Sequence, residues 1–293
     1  MRLVIGDSAP AVGARLAPGF GTLFARHPTT MVGSVLLVLM VLMALSAPYL
    51  APYDPIRFTP IHRLQPPGGE FVLGTDMMGR DILSRCIYGA RISLIVGLSA
   101  AALSVASGLL IGLLAGFFRI LDAIFMRVMD GLMAIPAILL AIAMVSLAGA
   151  SLTTVIIAIT VPEIPRVVRL VRSVVLSVRE EPYVEAAVAA GTPAPLVLLR
   201  HVLPNTVPPL IVQGTYVCAS AMLLEAILSF LGAGTPPEIP SWGNMMAEGR
   251  TFFQLAPWIV MFPGVFLALT VLAVNVLGDG LRDTLDPRLA TRT

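Results

Sequence analysis

The chain contains no lysine: all 19 of its basic residues are arginine. A phosphate-binding P-loop needs a lysine against the phosphates, so this chain cannot hold a nucleotide site of that kind. Charge of either sign is scarce, at 12% of 293 residues. A soluble domain carries roughly 25%. With 57% hydrophobic residues and a mean hydropathy of +0.91, the bilayer is the natural solvent for this chain. Its three histidines, His27, His62 and His201, do not cluster, which leaves no metal site. The two cysteines, Cys86 and Cys218, are far apart and leave open a long-range disulfide or two free thiols. No nucleophile elbow, HExxH pair or basic groove interleaved with aromatics is visible. Hydrolysis and nucleic-acid binding therefore have no residues to work with.

What is present is long apolar sequence. A membrane-spanning helix needs about 20 apolar residues. Runs of that order lie at about 30–50, 90–118, 122–148, 152–177, 206–231 and 255–281. They predict an all-α integral membrane protein of about six transmembrane helices. Residues 1–29 form a mildly polar tail, and the first run is long enough to stay as an uncleaved helix despite the small residues near Ser46. With the N-terminus inside, 13 arginines fall on inner segments and 6 on outer ones. Arginine excess marks the cytoplasmic side, which predicts both termini in the cytoplasm. The expected organisation is a cytoplasmic tail (1–29), a first helix (30–50) and an external loop (51–89). A five-helix core (90–281) with an inner loop (178–205) and a short cytoplasmic tail (282–293) complete it.

Two features of the apolar runs call for an explanation. Ala100, Ser104, Gly108, Gly112 and Gly116 recur every four residues and form one small-residue face, suited to close backbone approach. That face serves either a partner subunit or another helix of this chain. Charged and amide side chains within the runs are costly in lipid and should face protein or water. The candidates for a translocation path or for helix pairing are Asp130, Glu163, Arg166, Glu225 and Asn275, with Asp279 near the end of the last run. Asp130, near Arg127, is either a cavity wall that meets a peptide terminus or half of a structural pair. Glu163 lies between Pro162 and Pro165 and three residues before Arg166, which suggests a break that flexes or buries an ion pair.

The inner loop is the most informative stretch: Glu181-Pro-Tyr-Val-Glu-Ala-Ala-Val-Ala-Ala-Gly191, then Arg200-His-Val-Leu-Pro-Asn205. Pro182 suits a first helical turn. Glu180, Glu181 and Glu185 complement a helix start, and Gly191 permits a left-handed end. Pro195 can open a second short helix, and Pro204 should stop it before the next long segment. Tyr183, Ala186, Ala187 and Ala190 share one face, small and mildly apolar yet outside the membrane. A knob of that kind fits a groove on another protein, or packs on its own helix ends.

The run Glu185-Ala186-Ala187, Gly191 and then His201, Val202, Leu203 and Pro204 resembles the EAA loop of ABC importer permeases, and the His-Val-Leu-Pro-Asn ending looks like the peptide/nickel branch. Leu73-Gly-Thr-Asp-Met-Met-Gly-Arg-Asp-Ile-Leu-Ser-Arg85 with Tyr88-Gly-Ala-Arg-Ile-Ser93 is similar to the external loop and second-helix start of their dipeptide/oligopeptide "C" subunits. Leu228-Ser-Phe-Leu-Gly232, Pro240-Ser-Trp-Gly243, Asn275 to Asp283 and Leu285-Asp-Pro-Arg288 resemble further signatures of the same subunits. The resemblance runs from about residue 28 onward.

The resemblance implies a type I ABC importer permease fold in a bacterial inner membrane and no enzyme activity in the chain itself. It also implies a second permease as heterodimer partner, an extracytoplasmic substrate-binding protein, and one or two cytoplasmic ATPases that use ATP and Mg. Tyr183, Glu185, Ala186, Ala187, Gly191, His201, Leu203 and Pro204 would form the ATPase-docking loop. The implied cargo is di- or oligopeptides, with nickel chelates or glutathione as alternatives. An ion-driven secondary transporter, working through Asp130, Glu163 and Glu225, is the rival of another class.

Overall fold

The computed structural model describes residues 28–285. The tail 1–27 and residues 286–293 lie outside them, so the expected tails, with Arg288, are described only at their edges. The described chain is helical, with isolated β-bridges in place of strands. The principal helices are α1 (Pro28–Leu45), α2 (Ile82–Phe117), α3 (Arg119–Met133), α4 (Ala137–Ala148) and α5 (Leu152–Arg179), followed by α6 (Pro182–Ala189), α7 (Leu203–Phe230), α8 (Trp242–Gly249) and α9 (Trp258–Leu285).

Helix α2 starts where Asp81 caps it: the carboxylate accepts the Ser84 amide at 2.8 Å and the Ser84 hydroxyl at 2.6 Å. Its 36 residues make it about 54 Å long, well beyond an apolar bilayer core of about 30 Å. The helix therefore extends into the region before residue 90, and the loop expected over 51–89 ends at Asp81.

The small-residue face of α2 is filled from within the chain. A Cβ added to Gly108, Gly112 or Gly116 would come within 2.5, 2.6 and 2.6 Å of Val167, Val171 and Val175 respectively. Those valines recur every four residues along α5, so bare glycine backbone meets β-branched ridge over three turns. Ser104 continues the seam, its hydroxyl 3.4 Å from the Thr160 carbonyl. The α2–α5 contact is the most extensive helix pair among the described residues. A partner subunit is not needed to explain the stripe. Helix α7 packs on another part of α2, where Gly97 admits Met222 and the Cys218 carbonyl. Helix α9 packs on α7 and on α1, with Gly33 against Val276. Cys86 and Cys218 are both free and buried.

Among the described residues three helices, α2, the run Ala194–Phe230 and α9, are long and apolar enough to cross a membrane, and four if α3 and α4 together count as one. Three local expectations are corrected. The run 122–148 is not straight: α3 and α4 meet at 88°, because Pro136 lacks the amide proton a continuous helix would use there. Helix α5 passes Pro162 and Pro165 without a break. Pro204 does not stop a helix: it sits in the first turn of α7, where a missing amide proton costs little.

Candidate functional site

The loop 178–205 is built from short pieces. Pro182 occupies the first turn of α6, and the amides of Val184 and Glu185 bond back to the Glu181 carbonyl at 2.9 and 3.1 Å. At the other end Gly191 takes φ +82°, its amide donating to the Val188 carbonyl at 2.9 Å while Thr192 donates to Ala187 at 3.1 Å. That paired closure is the Schellman motif, and it places a glycine where a side chain would be strained. Ala194–Val197 forms a further turn with Pro195 near its start. It runs into a π-helical turn, Leu198–Val202, whose closing bond is the Leu203 amide to the Leu198 carbonyl. The π turn accommodates Pro204, which cannot donate to the carbonyl four residues back.

The loop has two different sides. Val184, Val197 and Val202 are buried and join the main apolar core, which anchors α6 to the helices below. Tyr183, Glu185, Ala186 and Ala190 are exposed, Ala187 is half-buried, and Val188, Leu196 and Leu199 are exposed as well. The predicted face is therefore a small, mildly apolar surface that nothing among the described residues covers, since the ends of its own helices pack on the opposite side. His201 and Leu203 are half-buried and Pro204 is exposed. Asn205 joins them: its amide nitrogen donates to the His201 carbonyl at 2.7 Å and to the Tyr183 hydroxyl at 3.2 Å. Sequence reasoning assigned Asn205 no role beyond its place in the motif.

The opposite end of the molecule holds a buried charge network between the segment 73–85 and α8. Arg80 Nε lies 2.6 Å from Asp76 Oδ2, and Arg80 Nη2 lies 2.5 Å from Glu248 Oε2. Arg85 pairs with the same Asp76 oxygen and reaches Glu248 Oε2 at 2.8 Å. The other Asp76 oxygen accepts the Met78 and Arg80 amides at 2.7 and 2.9 Å. Trp242 donates to the Cys86 carbonyl at 2.9 Å beside Gly89, and Trp258 donates to the Thr75 carbonyl at 3.2 Å. Thr75, Asp76, Arg80, Arg85 and Trp242 lie within the motifs described above, whereas Cys86, Glu248 and Trp258 lie outside them, and the sequence alone gives the network no role. The charge spacing Asp76, Arg80, Arg85 was its visible half.

The intramembrane candidates separate. Asp130 pairs with Arg169 of α5 at 2.6 Å, not with Arg127, and both side chains are about half exposed. Asp122, which sequence reasoning passed over, takes Arg172 in a two-point pair, one bond at 2.7 Å. Glu163 is buried, and Arg166 reaches both of its oxygens at 3.2 and 3.3 Å. Glu225 is fully buried on α7, where it accepts the Ser229 hydroxyl at 2.8 Å. Asn275 is half-buried on α9. The first three candidates lace α3 and α5 or one turn of α5. Glu225 and Asn275 stand apart from them, so the five do not converge on one site.

Residues 108–291 match the family described as the binding-protein-dependent transport system inner membrane component. Residues 22–67 match the N-terminal TM domain of oligopeptide transport permease C. A protein of Sinorhizobium fredii named as a probable peptide ABC transporter permease is 57% identical, with 91% of each chain covered. The di/tripeptide transport system permease protein of Pseudomonas aeruginosa is 44% identical over 91% of this chain and 90% of its own. A glutathione transport system permease protein of Pectobacterium atrosepticum is 39% identical over 91% and 89%. The chain, a multi-pass protein of apolar helices, belongs to the family of inner-membrane permeases of binding-protein-dependent transport systems.

Proposed function

We propose that this chain is one permease subunit of a bacterial ABC importer and forms half of the translocation path for di- and oligopeptides. The observation that carries this is the outward face of α6, an apolar knob anchored by Val184 from beneath and covered by nothing among the described residues. Tyr183, Glu185, Ala186, Ala187 and Gly191, with His201, Leu203 and Pro204 behind them, dock it into a separate ATPase subunit. That subunit holds ATP and Mg, because this chain has no lysine for a phosphate loop. ATPase closure moves the loop, and the helices alternate between inward-open and outward-open arrangements. A related permease supplies the other half of the path, and an extracytoplasmic binding protein delivers cargo to the opposite end.

Six spans follow if α3 with α4 is one broken span and α1 and α5 are two more. Helix α5 carries Glu163, Arg166, Arg169 and Arg172, each paired with an opposite charge. Paired charges facing protein or water are how a spanning helix tolerates them. An even number of spans, with the arginine-rich segments inside, puts both termini and the loop 178–205 in the cytoplasm. Relatives named for peptides stand at 41–57% identity and the glutathione permease at 39%, which favours peptide cargo and keeps that tripeptide within the class.

The test is to purify the tagged chain from membranes in mild detergent and identify its companions. A second permease and one or two P-loop ATPases should come with it, and the ATPases should be lost from the Glu185→Ala/Gly191→Val double variant. A chain that stays alone, yet moves substrate into vesicles on an ion gradient without ATP, would sink the importer assignment.

A further inference from the structure

The root of α7 is poorly suited to transmitting a push. Three prolines fall within ten residues: Pro204, Pro208 and Pro209. None can donate to the carbonyl four residues back, so the backbone from Arg200 to Pro209 lacks three of the bonds that stiffen a helix. Immediately before them the chain makes the π turn Leu198–Val202, a wider and weaker coil than the α-helix on its far side. A displacement of α6 that travelled only along the backbone would be absorbed in this compliant stretch. The glycine turn at Gly191 adds a second place where it could be lost.

One side chain bypasses both. Asn205 sits in the first turn of α7, and its amide nitrogen donates at 2.7 Å to the His201 carbonyl inside the π turn. The same nitrogen donates at 3.2 Å to the Tyr183 hydroxyl on α6, 22 residues earlier in the chain. The Tyr183 and His201 rings lie beside each other, centroids 6.2 Å apart and tilted by 56°. On the buried side, Val184, Val197 and Val202 belong to one core cluster. Thus α6 is held to the root of α7 from two sides, by apolar packing beneath and by the tyrosine–asparagine bond above.

We propose that Asn205 is a positioning residue, a latch between Tyr183 and the His201 carbonyl that makes α6 and the root of α7 move as one body during transport. The inference rests on the docking role of α6 proposed above. The latch determines how much of an ATPase stroke reaches the membrane helices, whereas the docking face determines whether the ATPase is held at all. Tyr183 belongs to both, but Asn205 lies outside the docking face, so its substitution separates the two roles experimentally.

The experiment uses the whole complex in proteoliposomes with its binding protein and a radiolabelled peptide, and reads peptide moved per ATP hydrolysed. Asn205→Leu keeps the branching and number of side-chain heavy atoms and removes both bonds. The ATPase should still co-purify in full and hydrolyse ATP, while peptide per ATP falls roughly five- to tenfold, in the range of known coupling energies. Tyr183→Phe, which removes only the acceptor oxygen, should lower the same ratio by about threefold, and the double variant should be no worse than Asn205→Leu, as expected for partners in one interaction. An unchanged ratio in Asn205→Leu would overturn the latch, as would strictly additive losses in the double variant. Loss of the ATPase from Asn205→Leu would also overturn it, by making Asn205 part of the docking face. If the ATPase instead stays bound in the Glu185→Ala/Gly191→Val variant, the docking role fails by a separate readout.

Discussion

The two ends of the molecule handle polar groups in opposite ways. Around Asp76, Arg80, Arg85 and Glu248, four charged side chains are drawn into one cluster, three of them buried, and they answer one another within the chain. At the loop 178–205 only Val184 of α6 turns inward, while Glu185, Tyr183 and Ala186 are exposed on its outer face. A buried ion cluster tolerates no missing member, since each charge left alone keeps its desolvation cost. An exposed knob can change identity with little cost to folding, because the unfolded chain presents it to water as well. The first end is therefore where substitutions should damage the fold, and the second where they should damage assembly while the fold survives.

The largest effect should come from Asp76→Ala. It leaves Arg80 and Arg85 buried with only Glu248, and the loss should be about 3–5 kcal/mol. The measure is thermal unfolding in detergent, followed by size-exclusion profile. A variant as stable as wild type would show that the network is solvated and that the contrast between the ends is false. Smaller is Gly191→Val, at the loop end. Nothing lies within 4 Å of an added Cβ there, so only the left-handed backbone at φ +82° resists the change. That conformation costs about 1–2 kcal/mol for a residue with a side chain, and the same unfolding assay should show a shift of that order. Smallest of all is Ala186→Arg, which should leave stability within about 0.5 kcal/mol of wild type while abolishing ATPase co-purification. If Ala186→Arg unfolds the protein instead, its face packs within the chain and is not a docking surface.

Some of this was legible in the residues themselves. The period of four in Ala100 to Gly116 announced a close helix contact, since only small side chains leave backbone accessible. Pro182, the three glutamates and Gly191 announced the start and end of α6, because each acts within its own turn. The partner of the small-residue stripe was not legible. Val167, Val171 and Val175 look like any apolar face of a spanning helix, and only packing matched their ridge to the glycine groove. Asp130 was visible as a costly charge, but its neighbour in sequence, Arg127, was the wrong partner. A residue three positions away on a helix is not always the nearest cation once α5 comes alongside with Arg169.

The π turn had a visible cause in Pro204 but no visible outcome, since a proline there fits a helix stop as well as a widened first turn. The charge network was half visible, with Asp76, Arg80 and Arg85 spaced along one segment and Glu248 a further 163 residues on from Arg85.

The sequence by itself determined the solvent, the helical class, the absence of a phosphate-loop lysine and the local form of α6. Each of these depends on composition or on contacts within a turn or two. Tertiary structure alone decided which small face meets which ridge, which acid meets which arginine, and that α6 turns Val184 inward and Tyr183 outward. Those outcomes depend on side chains brought together from distant parts of the chain. Their pairing is selected by shape and by the cost of leaving a buried charge or a groove unfilled, quantities that exist only once the helices have packed.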